Sequence, residues 1–200
     1  MYQDQSSINV YNEILRGFDL QQVELGRDQI TDGEVYDTIT PTTNAFTQAD
    51  HFFFSSQSGK EDHETNVFTD RRLEKGEFLL IKDFQISLIP ASSTIDLAEI
   101  VKFATQCSFS FKFLKTIFLT CRLIELCPIE IKLADNKAIG LGQPPLGSGK
   151  IVGTRAIDSG IQLPGEKTFE AKMTVHSSAL TCASVGAVVL AMRGTKINGL

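Results

Sequence analysis

The run CSFSFKF, Cys107 to Phe113, puts Phe109, Phe111 and Phe113 on one side and Ser108, Ser110 and Lys112 on the other. A period of two is the mark of a strand with one dry and one wet face. The same period returns in TFEAKMTVHSS, where Phe169, Ala171, Met173 and Val175 alternate with Glu170, Lys172, Thr174 and His176. EFLLIKDFQISLIP opens on a continuous apolar run, Phe78 to Ile81, then alternates through Phe84, Ile86 and Leu88 until Pro90 closes it. TIFLTCRLIEL reads as an apolar strand or pair, PIEIKLA alternates Ile129, Ile131 and Leu133, and VGAVVLAMRGTKI brings Val188, Leu190 and Met192. Gly194 in that last run predicts a bulge or a sharp bend.

About eight strands follow residue 64, joined by short turns. Eight is the number of one jelly roll, two four-stranded sheets sealed against each other. Two complete jelly rolls would need about sixteen strands of five or six residues, which is more chain than the body offers. One internal helix is predicted in STIDLAEIVKFA, with Leu97, Ile100, Val101 and Ala104 as its stripe and Ser93 with Asp96 at its start. The fold class expected is therefore all-β, a single eight-stranded jelly-roll β-sandwich with one short internal helix.

Ahead of the sandwich, Ile8, Tyr11, Leu15 and Phe18 recur at helical spacing, with Ser6 or Ser7 available as a cap and Gly17 weakening the end. Gln21 to Asn44 is polar, acidic and turn-rich, and reads as an extended arm or linker. The division expected is a 1–45 N-terminal arm carrying a short amphipathic helix and a 46–200 jelly-roll domain. An apolar stripe must be covered. Either it docks on a neighbouring subunit as an assembly arm or it packs on its own barrel, and the acid-rich linker favours the arm.

Composition narrows the function classes. Two hundred residues with 42% apolar content are ample for one core, and 14 Phe without a Trp suit aromatic-rich strands. No apolar run is long enough for a membrane helix, and the first residues do not read as a secretory signal. Cys107, Cys121, Cys127 and Cys182 show no zinc-finger spacing and are expected to be buried, reduced thiols. The net charge of −5 argues against a dedicated nucleic-acid binder. It is unevenly placed: residues 1–64 hold twelve Asp/Glu and three Lys/Arg, a balance of −9, against +4 for the remaining twelve acids and sixteen bases.

Candidate chemistry is thin. GQPPLGSGKI, Gly142 to Ile151, imitates a phosphate loop, but Pro144 stands where the first Gly belongs and Ile151 replaces the hydroxyl residue. It lies between two strand-like runs, with no helix following, and is expected to be a turn. His176 faces outward on a strand without companion ligands. KEDHET, Lys60 to Thr65, crowds acids around His63 without the spacing of a calcium loop. No G-x-S-x-G occurs, and no carboxylate pair stands out for glycoside hydrolysis. The expectation is no catalytic residue, no cofactor and no metal.

Three stretches carry a resemblance. ETNVFTDRRLEKGEFLLIKDFQISLIP resembles the opening of jelly-roll capsid proteins from tailless icosahedral bacteriophages and related viruses, where a Thr-Asn pair and a Gly-Glu strand start lead into the first sheet. GIQLPGEKTFEAKMTV is similar to their later strand entered through a Leu-Pro-Gly turn, and VVLAMRGTKINGL to their final strand with its Arg-Gly pair. The resemblance covers residues 46–90 and 160–200, and the chain has room for one barrel where some members have two. It implies a self-assembling, non-enzymatic virion shell protein made in the host cytoplasm. Its partners would be further copies of itself and other capsid proteins. Contact with an internal membrane or the genome stays open, without a dedicated nucleic-acid site. The alternative is a carbohydrate- or ligand-binding jelly-roll module of a virion spike or minor vertex protein.

Overall fold

The computed structural model describes residues 29–41, 45–55, 60–67, 69–91, 97–126, 151–177 and 184–198. Ile8, Tyr11, Leu15 and Phe18, the Ser93–Asp96 helix start, PIEIKLA and the turn expected at 142–150 lie outside the described residues, as do Cys127 and Cys182. The described residues form an all-β sandwich of two antiparallel sheets.

The strands are β1 (Gln29–Ile39), β2 (Asp50–Phe53), β3 (Glu77–Pro90), β4 (Cys107–Phe113), β5 (Thr116–Arg122), β6 (Ile151–Pro164), β7 (Phe169–Val175) and β8 (Val185–Asn198). Among the described residues two helices accompany them, α1 (Leu97–Gln106) and α2 (Leu123–Leu126). One sheet runs β1-β8-β3-β6 and the other β2-β7-β4-β5. The order has a simple logic. β1 pairs with β8, β2 with β7, β3 with β6 and β4 with β5, as in a chain doubled back at the β4–β5 hairpin, and successive pairs alternate between the sheets.

The predicted alternation holds where it decides the core. Phe109, Phe111 and Phe113 are buried, as are Phe169, Ala171, Met173 and Val175 on β7 and Phe84, Ile86 and Leu88 on β3. Phe84 joins the two layers, its ring 5.7 Å from Phe109 and 5.0 Å from Phe111. Phe169 continues the stack to Phe111 at 6.0 Å and to Phe54 at 5.3 Å. Helix α1 packs at one end of the sandwich with Ile100, Phe103 and Ala104 buried, and Phe103 meets Phe46 at 5.3 Å. Phe103 belongs to the stripe that the sequence pattern assigned to Leu97, Ile100, Val101 and Ala104. Val101 is only half-buried.

Three expectations need correction. Residues 29–39 are not part of an extended arm: they form β1, paired along its whole length with β8. The sandwich therefore takes in Gln29–Ile39, inside the segment 1–45 assigned to the arm. Its inward residues include Val35 and Ile39, but Asp37 between them is an acid at a core position and breaks the apolar pattern. Second, TIFLTCRLIEL does not stay extended. After Arg122 the chain coils into α2 with Leu123 and Leu126 buried, a spacing of three that suits a helical turn. Third, the irregularity expected at Gly194 lies in its partner: β3 shifts register between Ile81 and Asp83, directly against Gly194 and Arg193. Gly194 makes this possible, because a Cβ there would stand 1.8 Å from the Leu80 carbonyl oxygen.

Candidate functional site

Four features stand out, and each follows from where the strands carry their side chains. The first is a buried clasp on β1. The Asp37 carboxylate, fully buried, accepts from Lys60 Nζ at 2.6 Å and from the Phe54 backbone N–H at 2.6 Å. Lys60 Nζ also donates to the Thr38 carbonyl at 2.9 Å. Further along, Asn66 mimics a strand residue: its Oδ1 accepts from Tyr36 N at 2.8 Å and its Nδ2 donates to Glu34 O at 2.8 Å. Thr65 bridges Asp37, and its hydroxyl donates to Tyr36 O at 3.1 Å. The Thr65-Asn66 pair thus ties the segment after β2 to the edge of the first sheet.

The KEDHET segment is accounted for by this clasp. Lys60 and Thr65 turn inward, while His63 and Glu61 stay exposed with Nδ1 and Oε2 3.3 Å apart. Glu64 closes the turn, its carboxylate accepting from Glu61 N at 3.0 Å. Among the described residues no three His, Cys, Asp or Glu side chains gather to hold a metal ion.

The second feature is the outer face of the β2-β7-β4-β5 sheet. Asp50, Thr174 and Ser108 fall in one row across three strands. Ser108 Oγ lies 2.7 Å from His176 Nε2, the pairing of a nucleophile and a base. Each residue points outward in its own alternating run; only the register brings them together. Among the described residues the rest of a hydrolytic triad does not assemble here. The Asp50 carboxylate is committed to Thr174 Oγ1 at 2.6 Å and Lys172 Nζ at 2.8 Å. Phe109, whose amide would have to stabilise an oxyanion, is paired with strands on both sides. The pair is also exposed, so water competes for every charge it would handle.

The hydrogen bond from Lys172, then that from Thr174, holds the Asp50 carboxyl below its ordinary value of 3.8. The folded state therefore binds this proton less readily than the unfolded chain does. The stabilisation is full above pH 3.8 and is lost as pH falls through the lower folded value. Asp50 is 40% exposed, so screening keeps the contribution under about 1 kcal/mol. Asp50→Asn is accordingly expected to lower stability slightly in denaturant melts at neutral pH and to match the wild type in strong acid. A gap that persists in acid would assign the effect to something other than charge.

The third feature is the β4–β5 hairpin, where Leu114, Ile117 and Phe118 are exposed beside Lys112 and Lys115. The fourth is an open groove of about 570 Å³ on the outer face of the other sheet, lined by Asp32, Gly33, Glu34, Lys82, Asp83, Arg193 and Gly194. Its floor is the irregularity opposite Gly194, and Arg193 Nε donates to Asp83 Oδ1 across it at 2.7 Å. Of the residues read from sequence as functional, the stripe Ile8, Tyr11, Leu15 and Phe18 lies outside the described residues. No protein-family model matches the chain, and no curated protein matches it.

Proposed function

We propose that the chain is a shell-building subunit of a virion, an eight-stranded jelly roll that self-assembles and carries out no catalysis. The observation that carries the reading is the strand order, β1-β8-β3-β6 facing β2-β7-β4-β5. This is the order produced by rolling a ribbon of paired strands around a barrel, the construction of jelly-roll folds. The stretches that carry the resemblance to jelly-roll capsid proteins fall at definite points of this fold. ETNVF supplies the clasp to the first strand, Leu163-Pro164-Gly165 makes the turn into β7, and Arg193-Gly194 lies in the last strand. Jelly rolls also serve lectins and enzymes, so fold alone carries no function. What favours a building block is the exposed apolar hairpin in a chain whose N-terminal sequence is acidic, together with a Ser108–His176 pair that has no third catalytic partner among the described residues.

In this reading the apolar stripe Ile8, Tyr11, Leu15 and Phe18 is an assembly arm. A truncation test must stop before Gln29, since removing residues 1–40 would delete β1. Point changes are cleaner. Leu15→Asp with Phe18→Asp is expected to leave the thermal melt unchanged while light scattering shows particle formation lost. A lowered melting temperature would assign the stripe to the chain's own core, and undisturbed particles would remove it from assembly altogether.

A further inference from the structure

Large apolar side chains are exposed at four described positions, and three of these, Leu114, Ile117 and Phe118, fall within one hairpin at 59%, 64% and 45%. Leu114 also holds a left-handed backbone, φ 54°, which is unfavourable for a branched side chain. A turn with glycine at this position would be less strained and more soluble. Lys112 and Lys115 flank the apolar group, giving the hairpin a greasy tip with a positive rim. β5 is moreover an edge strand, with one side of its backbone unpaired within the described sheet.

The groove on the other sheet has the complementary character. Asp83 is engaged by Arg193, which leaves the exposed Asp32 and Glu34 against one remaining cation, Lys82, among the described lining residues. In register with Asp32 stand the buried Thr195 and, beyond it, the half-buried Leu80. The two features lie on different sheets, the groove over β1, β8 and β3 and the hairpin at the β5 edge of the facing sheet. β1 and β2 abut along one edge of the sandwich, whereas β5 and β6 form the other. The tip and the groove are thus different surfaces of one copy. Joined between copies they make a head-to-tail contact, which closes into a ring or continues into a lattice.

We infer that the β4–β5 hairpin of one copy docks into the Asp32/Glu34 groove of a second copy, as a repeating lateral contact of the assembly. The inference rests on the shell-building reading and names the contact that reading requires. Lys112 and Lys115 meeting Asp32 and Glu34 supply the attraction and fix the register, and the contact draws Leu114, Ile117 and Phe118 out of water. Charge pairs at such a rim weaken with salt, so assembly should too.

A charge exchange in the full chain tests it. One variant carries Lys112→Glu and Lys115→Glu, the other Asp32→Lys and Glu34→Lys. All four positions are exposed, and thermal melts verify that each variant folds. Glu170 lies opposite Lys112 in register, so Lys115→Glu alone serves as the knob variant if the double change lowers the melt. Each variant alone is expected to need about tenfold or more protein to form the particles that the wild type forms, equivalent to some 1.4 kcal/mol per contact. Mixed in equal amounts, the two should co-assemble near the wild-type concentration, because each reversed rim then meets its opposite. Variants that assemble like the wild type, or a mixture without rescue while the wild type assembles, would overturn the contact and leave the shell reading standing. A wild type that remains monomeric would overturn both.

Discussion

Phe111→Ala is expected to cost roughly 3–5 kcal/mol of folding stability, the loss typical of a large aromatic removed from a close-packed interior. Phe111 is fully buried on β4, with Phe84 of the opposite sheet at 5.0 Å and Phe169 of its own sheet at 6.0 Å. The ring therefore belongs both to the seal between layers and to the packing along one layer. Neither sheet is free to close the space, since Phe84 is also held by Phe109 at 5.7 Å. Phe111→Leu, which keeps much of the volume, should lose distinctly less. Equilibrium denaturant melts measure both. A loss below about 1 kcal/mol for the alanine variant would contradict the packing described.

The second large effect concerns the clasp. Lys60→Met is expected to cost about 3–5 kcal/mol, because it leaves the buried Asp37 carboxylate without its countercharge. The backbone N–H of Phe54 remains as a donor, but one neutral hydrogen bond does not replace an ammonium group at 2.6 Å. The double variant Asp37→Leu with Lys60→Met removes both charges. It should recover most of the loss, since a buried ion pair and an apolar pair of similar volume are often nearly equivalent in stability. Equal melts for the single and double variants would mean that the charge is not the source of the cost. β1 is the element at stake, and loss of its protection in hydrogen exchange would locate the damage.

Much of the sandwich was legible because alternation and burial report the same thing. On β4 and β7 every inward position is apolar, so the period of two survives in the sequence. β1 was hidden for a definite reason. It is an edge strand whose inward positions include Gly33 and Asp37, and the burial of Asp37 depends on Lys60, which is 23 residues away and invisible to any local pattern. Phe103 went unassigned because a helix stripe has a tolerance of one position. The Ser108–His176 pair was unreadable for yet another reason: polar residues on β4 and just past the end of β7 become neighbours only through register, and register is set by the whole sheet. The hairpin tip carried a signal, three apolar residues around Lys115, but in isolation it resembles a core strand.

The central claim is self-assembly, and negative-stain electron microscopy of the purified full-length protein tests it most directly. Across a concentration series at low and at high salt, the shell reading expects rings or closed particles of uniform size, appearing above a threshold concentration and receding as salt rises. A field of single subunits at every concentration and salt, from protein that gives a cooperative melt, would contradict it.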